Sequence, residues 1–374
     1  MRASCTNVLK RRYRTIGISA LAFGSLLFLG AGCTLKFSSQ NVPGIFKSSD
    51  RGVSWSAKSL QVSGTGKKSR LSDIEVRSIA VDPRNSNLVY IGTDSHGVFA
   101  SETAGESWTQ IIPNQRIVSL AFDYGSRCVL YALTPKQLFK TSDCATSWYI
   151  ILDETRADTD LTSMAVDSLY PHILYVTTNA GDIFQSDDRG TTWKALRRFS
   201  QTSLRIILVD RFNPSIIYAA SAAGDIYRSE NKGATWKSIS DALYRDFPKR
   251  DVYRGLQMLG RQNSLIFASR SSLYRTLNAG RTWEKLSLLT TDDDTAIFAL
   301  AVNPENDFEI YYTTQHTFFR SSDGGKTWHT QPLPPQRAGS AISIDTNNSS
   351  ILYLGLRAPL KKSRFFHTPE EDFY

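Results

Sequence analysis

The sequence has few of the residues that build metal sites and nucleophilic centres. Its 374 residues include five histidines and four cysteines. The histidines are scattered without the spacing of metal ligands, and no glycine-rich loop follows a predicted strand to hold a phosphate. We therefore expect no metal and no cofactor.

The longest apolar stretch is confined to the N-terminus. The basic segment "KRRYR" (10–14) precedes "TIGISALAFGSLLFLGAGC" (15–33), which is short for a membrane span of about 20 residues. This order is typical of an export signal, so we predict a signal peptide at 1–32 and a linker at 33–42. The end of the stretch, "LGAGC", resembles the bacterial lipoprotein box, which would make Cys33 the lipidated residue. An uncleaved anchor and an ordinary cleaved signal are the alternatives.

The positive charge of the chain lies largely in this leader. Five basic residues and no acid precede Cys33, so removal of the leader lowers the formal net charge from +9 to +4. A charge of this size is weak support for nucleic-acid binding, and we expect none. Basic residues before an apolar run stay on the cytoplasmic side of a membrane. We therefore expect an extracytoplasmic protein anchored to the membrane through lipid.

Only two cysteines, Cys128 and Cys144, lie beyond the leader and its end. A hairpin folded about Lys136 places them opposite each other on neighbouring strands. We predict a disulfide between them, which an exported protein retains. Two free thiols on adjacent strands are the alternative.

A polar turn that ends in tryptophan recurs seven times. Its first copy is Ser48-x-Asp50-x-Gly52-x-x-Trp55, and the steps between successive tryptophans lie between 40 and 53 residues. Asp or Asn closes such a turn through its side chain, Ser or Thr adds a hydroxyl, and Gly accepts a positive φ. The indole then starts the next strand and anchors the hairpin. The other copies end at Trp108, Trp148, Trp193, Trp236, Trp283 and Trp328.

Four short strand patterns surround each turn, for example "LTSMAVD", "ILYVTT", "DIFQS" and "TTWKAL" within 160–197. The chain begins with the last two strands of one unit, at "GIFKSSDRGVSW", and ends with the first two, "SAISID" and "ILYLGL". We therefore predict an all-β fold: a single seven-bladed β-propeller at 43–357, closed by strands from both termini, with a tail at 358–374. We expect a monomer.

The repeated frame resembles the Asp-box, or BNR, repeat. Among such propellers, a single exported seven-bladed ring is most similar to the photosystem II stability and assembly factor family. The resemblance implies a non-enzymatic scaffold that binds a protein partner. Sialidases and xyloglucan hydrolases share the repeat, so a carbohydrate-binding or glycoside-hydrolase-like propeller is the alternative. The Arg-Ile-Pro motif of sialidases is absent.

The carboxylates of the repeat, Asp50, Asp143, Asp188 and Asp323, are interpreted as turn residues and not as catalysts. Thr103 takes their place in the second copy, and Asn231 and Asn278 do so in the fifth and sixth. Asp158, Asp160 and Asp292–Asp294 are interpreted as solvated loop charges, with a cation or sugar site as the alternative. We expect no catalytic residues.

Two long loops are the candidates for partner binding through one face of the ring. The loops are 57–73 and 241–254, and the second mixes arginine with aromatics, as interface hot spots do. An ordinary solvated loop is the alternative. The tail segment "KKSRFFHTPEEDFY" (361–374) covers the closure seam or extends free. The predicted binding residues are Lys67, Lys68, Arg70, Arg197, Arg198, Arg205, Tyr244, Arg245, Phe247, Lys249, Arg250, Tyr253 and Arg254.

Overall fold

The computed structural model describes residues 44–62, 68–71, 74–249, 251–290, 296–334 and 337–358. All of them belong to the compact unit Ser38–Tyr374. Cys33, the expected leader and the tail beyond Ala358 lie outside the described residues. Among the described helices, none is long and apolar enough to cross a membrane.

The chain enters with two strands of one blade and a small hairpin that belongs to no blade. A parallel backbone bridge joins Gln61 of the hairpin to Trp108. The backbone N–H of Trp108 donates to Leu60 O at 2.9 Å. The sequence predicts only a loop at 57–73, so this hairpin corrects that expectation. The elements are β1 (Ile45–Ser48), β2 (Ser56–Ala57), β3 (Leu60–Val62) and β4 (Lys68–Arg70).

Six blades follow, each a four-stranded antiparallel sheet in chain order. Blade 1 has β5 (Val76–Asp82), β6 (Asn85–Thr93), β7 (Val98–Ser101) and β8 (Thr109–Ile112). Blade 2 has β9 (Ser119–Phe122), β10 (Leu130–Leu133), β11 (Gln137–Thr141) and β12 (Tyr149–Asp153). Blade 3 has β13 (Leu161–Val166), β14 (Leu174–Thr178), β15 (Asp182–Ser186) and β16 (Lys194–Arg198).

The second half of the ring repeats this order. Blade 4 has β17 (Leu204–Val209), β18 (Ile217–Ser221), β19 (Ile226–Ser229) and β20 (Lys237–Ser238). Blade 5 has β21 (Tyr253–Met258), β22 (Leu265–Ser269), β23 (Leu273–Thr276) and β24 (Glu284–Lys285). Blade 6 has β25 (Ala299–Asn303), β26 (Asn306–Thr313), β27 (Thr317–Ser321) and β28 (His329–Pro332).

The seventh blade joins the two ends of the chain, as the sequence predicts. The last strands, β29 (Ala338–Ile344) and β30 (Leu352–Arg357), complete a sheet of order β2-β1-β30-β29. Phe46 of β1 lies opposite Leu354 of β30 in an antiparallel register. The first strand of every blade contacts the first strand of the next, including β29 against β5. The seven-bladed all-β propeller is therefore confirmed, and the ring is closed.

The hydrophobic core is divided among the interfaces between blades. Within the described residues, seven buried clusters occur, and each combines side chains from two adjacent blades. One cluster, for instance, packs Tyr131 and Leu138 of blade 2 against Met164 and Val176 of blade 3. Each blade thus buries its two faces only when both neighbours are present.

The seven polar turns share one hydrogen-bond pattern. In the first, the Gly52 N–H donates to Ser48 Oγ at 2.8 Å, and the Ser54 N–H donates to Asp50 Oδ1 at 2.8 Å. Thr103 Oγ1 and Asn231 Oδ1 accept the equivalent N–H groups in copies without Asp. The residue before the glycine also has a positive φ, such as 58° at Arg51, which the sequence does not predict. These residues are therefore placed to close turns.

Each tryptophan lies one position before the fourth strand, and not within it as predicted from sequence. Four indole N–H groups donate to a carbonyl of the preceding blade. The distance is 2.8 Å from Trp108 to Lys58 O and 2.8 Å from Trp193 to Ile151 O. Trp283 and Trp328 make the corresponding bonds to Ile239 O and Ser287 O. These four indoles therefore tie blades 1, 3, 5 and 6 to the preceding blade.

Two local features lie beside the repeat. The loop at 241–254 contains a short helix, α1 (Ser240–Asp246), where the sequence predicts no helix; its Leu243 is buried between blades 4 and 5. In blade 2, a disulfide joins Cys128 and Cys144 with a Cα separation of 4.0 Å. Cys128 lies just before β10, and Cys144 lies just after β11.

Candidate functional site

The two faces of the ring carry different connections. At one face of the ring, the fourth strand of each blade ends and the first strand of the next blade begins. Every second strand also ends at this face, which we call the channel face. The polar turns before the tryptophans lie at the opposite face. Loops on the channel face therefore surround the mouth of the central channel.

A β-bulge marks the start of the first strand in five blades. The register shifts at Arg77, Thr162, Arg205, Arg254 and Ser340. Bulges of this kind redirect a side chain and are frequent beside binding sites. Val118 and Phe298 occupy the position before the first strand in blades 2 and 6. All seven of these residues line one cavity, so every blade contributes to it.

This cavity encloses about 690 Å³ and is rich in arginine. Asp160 is the one carboxylate among its described lining residues. All five lining arginines are half-buried, which strengthens their electrostatic interaction with an anion compared with bulk water. We call the cavity the arginine funnel; its arginines are Arg77, Arg116, Arg205, Arg254 and Arg357.

Neighbouring side chains hold these arginines in place. Arg77 Nε donates to Asp94 Oδ1, and Arg116 Nε lies 3.5 Å from the same oxygen. The guanidinium groups of Arg254 and Arg357 lie 5.8 Å and 4.9 Å from the centre of the Phe298 ring. Such cation–π contacts restrain the position of the guanidinium group.

Apolar and aromatic side chains complete the lining of the funnel. Val118, Pro135, Phe298 and Tyr253 all contribute to the lining. Burial raises the pKa of the Tyr253 phenol, which is therefore neutral at physiological pH. The funnel therefore offers positive charge beside apolar and aromatic surface.

The described lining of the funnel supplies a single carboxyl group, and that group is in an ion pair. Asp160 Oδ1 lies 3.1 Å from Lys136 Nζ, whose ammonium also donates to the carbonyls of Ala157 and Thr159 at 2.7 Å. A glycosidase uses two carboxyl groups about 5–10 Å apart, whereas the described lining supplies one. Asp158 is exposed outside the lining, and Asp292–Asp294 lie outside the described residues. In the described ranges, no group of three or more His, Cys, Asp or Glu side chains could hold a metal ion.

The structure divides the binding residues predicted from sequence. Arg205, Tyr253 and Arg254 come together in the funnel. Tyr244 and Phe247 pack against the core between blades 4 and 5; the Tyr244 hydroxyl donates to Gly224 O at 2.8 Å.

The remaining predicted residues lie elsewhere. Arg245, Lys249, Arg197 and Arg198 are exposed outside the lining. Arg245 pairs with Asp246 at 3.0 Å and Arg198 with Asp182 at 3.3 Å, while the Arg197 guanidinium lies 5.6 Å from the Phe199 ring. Lys67, Arg250 and the side chains of Lys68 and Arg70 lie outside the described residues.

Sequence reasoning missed Arg77, Arg116, Phe298 and Arg357. A signal for part of the ring is present in the first-strand patterns. When "VRSIAVD", "LTSMAVD" and "LRIILVD" are aligned, Arg77, Thr162 and Arg205 share one position. Alternation alone does not show that this position is a bulge, so the convergence of the side chains was not evident.

Comparisons with known proteins agree with this fold. A family model described as "DUF6242 beta propeller domain" matches residues 137–354, which is more than half of the chain. No curated protein matches the chain.

Solved propellers resemble the structure at low sequence identity. The GH74 xyloglucanase from Xanthomonas campestris aligns with a TM-score of 0.63 and 16% identity, over 76% of this chain and 51% of that chain. YCF48 from Cyanidioschyzon merolae aligns with a TM-score of 0.59 and 16% identity, over 76% and 95%. An ancestral GH74 enzyme aligns with a TM-score of 0.55 and 14% identity, over 76% and 46%. This chain thus spans about half the length of the GH74 proteins, and these likenesses establish the fold alone.

Proposed function

This chain belongs to the family described as the DUF6242 beta propeller domain, and we propose that it is a non-enzymatic binding propeller. Its arginine funnel takes up an acidic segment of a partner protein. The observation that carries this proposal is the convergence of five arginines on one cavity, four from strands of four blades and one from the connection between blades 1 and 2.

Carboxylates are the natural ligands of such a site. Arginine binds a carboxylate through two parallel N–H···O bonds, and these charge-assisted bonds are about twice as strong as neutral ones. The blades that carry Arg205 and Arg254 are adjacent, so one acidic side chain could contact both guanidinium groups. The apolar side chains of Val118, Pro135 and Phe298 in the lining favour a polypeptide over a free inorganic anion, because they can bury carbon atoms of the ligand.

Binding without turnover fits the same lining. Hydrolysis of a glycoside needs an acid and a second carboxylate, and the described funnel holds Asp160 in an ion pair with Lys136. The assembly-factor-like role that the sequence resembles also requires only binding.

A carbohydrate ligand is the second candidate. The same lining contains the aromatic Phe298 and Tyr253 and the polar Asn179 and Asp160, and this combination of residue types suits a sugar ring. Neutral sugars, however, make no use of five guanidinium groups, and this is why we favour an acidic polypeptide.

An extracytoplasmic location with a lipid anchor at Cys33 is part of the proposal. The basic and apolar order of residues 10–33 supports it. The disulfide between Cys128 and Cys144 is consistent with an oxidising compartment. Cys33→Ser should release the protein from the membrane fraction; a variant that remains membrane-bound as the wild type does would contradict the anchor.

Fluorescence anisotropy with labelled hexaglutamate tests acidic recognition. The double variant Arg205→Gln/Arg254→Gln should lose at least about tenfold in affinity, since a hydrogen bond to a charged group contributes about 1.5–3 kcal/mol. The matched control Arg197→Gln/Arg245→Gln removes the same charge from exposed positions outside the funnel. It should stay within about twofold of the wild type.

The results distinguish the two candidates. Equal loss in both variants would show that hexaglutamate responds only to net charge, which contradicts a specific site. Binding of a neutral xyloglucan oligosaccharide, lost on Phe298→Ala but retained in Arg205→Gln/Arg254→Gln, would favour the carbohydrate candidate.

A further inference from the structure

The last strand delivers the chain to the rim of the funnel. β30 ends at Arg357, and the Arg357 side chain is itself part of the funnel lining. Ala358 follows at the channel face and is exposed. The described part of the chain therefore ends at the mouth of the arginine-rich cavity.

The composition of this segment is complementary to the funnel. It reads "PLKKSRFFHTPEEDFY", with its bases early and Glu370, Glu371 and Asp372 close together near residue 374. Phe373 and Tyr374 follow directly. The acidic groups are complementary in charge to the arginines of the funnel, and the adjacent aromatic rings are similar in character to Phe298 and Tyr253 of its lining.

The acidic residues are within reach of the cavity. A fully extended chain from Ala358 to Glu370 spans about 40 Å. The number of residues is therefore sufficient for Glu370 to reach any part of the funnel. Tethering a ligand this closely gives an effective concentration of about a millimolar, so a weak contact is sufficient for occupancy.

We propose that the acidic segment Glu370–Asp372 of this chain occupies the arginine funnel and competes with the partner for it. This inference rests on the proposed binding of an acidic partner segment in the funnel, and it says how that binding is regulated. A partner must displace this segment, so its apparent affinity is reduced by the fraction of molecules in which the funnel is open.

Arginine footprinting tests occupancy directly. Phenylglyoxal modifies accessible guanidinium groups, and mass spectrometry of the full chain reads the rate at each arginine. Glu370→Gln/Glu371→Gln should speed modification of Arg205, Arg254 and Arg357, by about fivefold if the segment occupies the funnel four-fifths of the time. Arg245, which is exposed outside the funnel, is the internal reference and should not change.

A matched control separates this effect from net charge. Glu102→Gln/Glu305→Gln removes two exposed carboxylates from turns at the opposite face. In this control variant, phenylglyoxal should modify the arginines of the funnel at the wild-type rate. Equal funnel rates in all three proteins would overturn the proposal.

Hexaglutamate binding to the same proteins distinguishes this inference from the proposed function. Tighter binding to Glu370→Gln/Glu371→Gln than to wild type and control supports competition. Equal binding to all three overturns competition but leaves acidic recognition intact. Faster footprinting without hexaglutamate binding to any protein would support the internal contact and contradict recognition of an acidic partner.

Discussion

At the scale of single residues, the seven tryptophans differ in what they contribute. Trp108 is fully buried and donates to Lys58 O at 2.8 Å, which joins blade 1 to the seventh blade. Trp55 and Trp148 are half-buried, and their N–H groups have no acceptor within the described part of the chain. The tryptophan of the repeat therefore contributes a different amount to the free energy of unfolding in different copies.

Trp108→Phe should lower the free energy of unfolding by about 2–4 kcal/mol, because it removes a buried hydrogen bond and leaves a cavity. Trp148→Phe should cost less, about 1 kcal/mol, since it removes mainly contact area. Urea denaturation measures both. Equal losses would show that the bond to Lys58 adds nothing.

Hydrogen bonding within the turn lowers the pKa of the Asp188 carboxyl to about 2. The Thr192 hydroxyl contributes most, followed by the Thr192 N–H and the Ser186 hydroxyl. Asp50 and Asp143 behave alike, with pKa values of about 2. A folded-state pKa below the unfolded value adds stability above the unfolded pKa, and this stability is lost as pH falls through the folded pKa.

Asp188→Asn should therefore flatten the fall in melting temperature between about pH 4 and pH 2. Near pH 7 it should be tolerated, because Asn231 and Asn278 close equivalent turns. Thermal melts across this range provide the measurement. A wild-type acid profile in the variant would mean that the turn carboxylate does not contribute.

At the scale of elements, the disulfide fastens the second and third strands of blade 2. It closes a loop with a sequence separation of 16 residues. The double variant Cys128→Ser/Cys144→Ser should lose about 3 kcal/mol of unfolding free energy through the greater freedom of the unfolded chain. Reductant should destabilise the wild type by the same amount and leave the variant unchanged; a variant as stable as the oxidised wild type would contradict this.

The strands were largely predictable from sequence, whereas two additional elements were not. Alternation and the Trp-ended turns mark the blades, because those signals are local and recur seven times. The hairpin β3–β4 and helix α1 have no repeat to reveal them. Leu243 in α1 is buried only because blades 4 and 5 meet there, which is a property of tertiary structure.

At the scale of the whole molecule, closure brings the site together. Arg77, Arg205, Arg254 and Arg357 are remote in sequence, and neither their charge nor their spacing indicates a common cavity. They meet because each is the second residue of a first strand or the last residue of a second strand, at the channel face of a closed ring. The sequence predicted the ring and a binding face, but not the inner rim as the place where arginines converge.

The seam between the seventh blade and blade 1 should govern the stability of the ring. A Cβ at Gly355 would lie 2.6 Å from Cγ1 of the buried Val76. Gly355→Ala should therefore cost about 1–3 kcal/mol through overpacking. Gly255→Ala is the control, since its nearest neighbour would be Leu300 Cβ at 3.6 Å. Similar midpoints in urea for both variants would show that the seam accommodates the methyl group.

Whether the arginine funnel holds an acidic segment can be seen in a crystal structure of the Glu370→Gln/Glu371→Gln variant with hexaglutamate. We expect peptide carboxylates within about 3 Å of the Arg205 and Arg254 guanidinium groups, with the chain against Phe298. Peptide bound at the opposite face or on the outer strands, with the funnel empty, would contradict it.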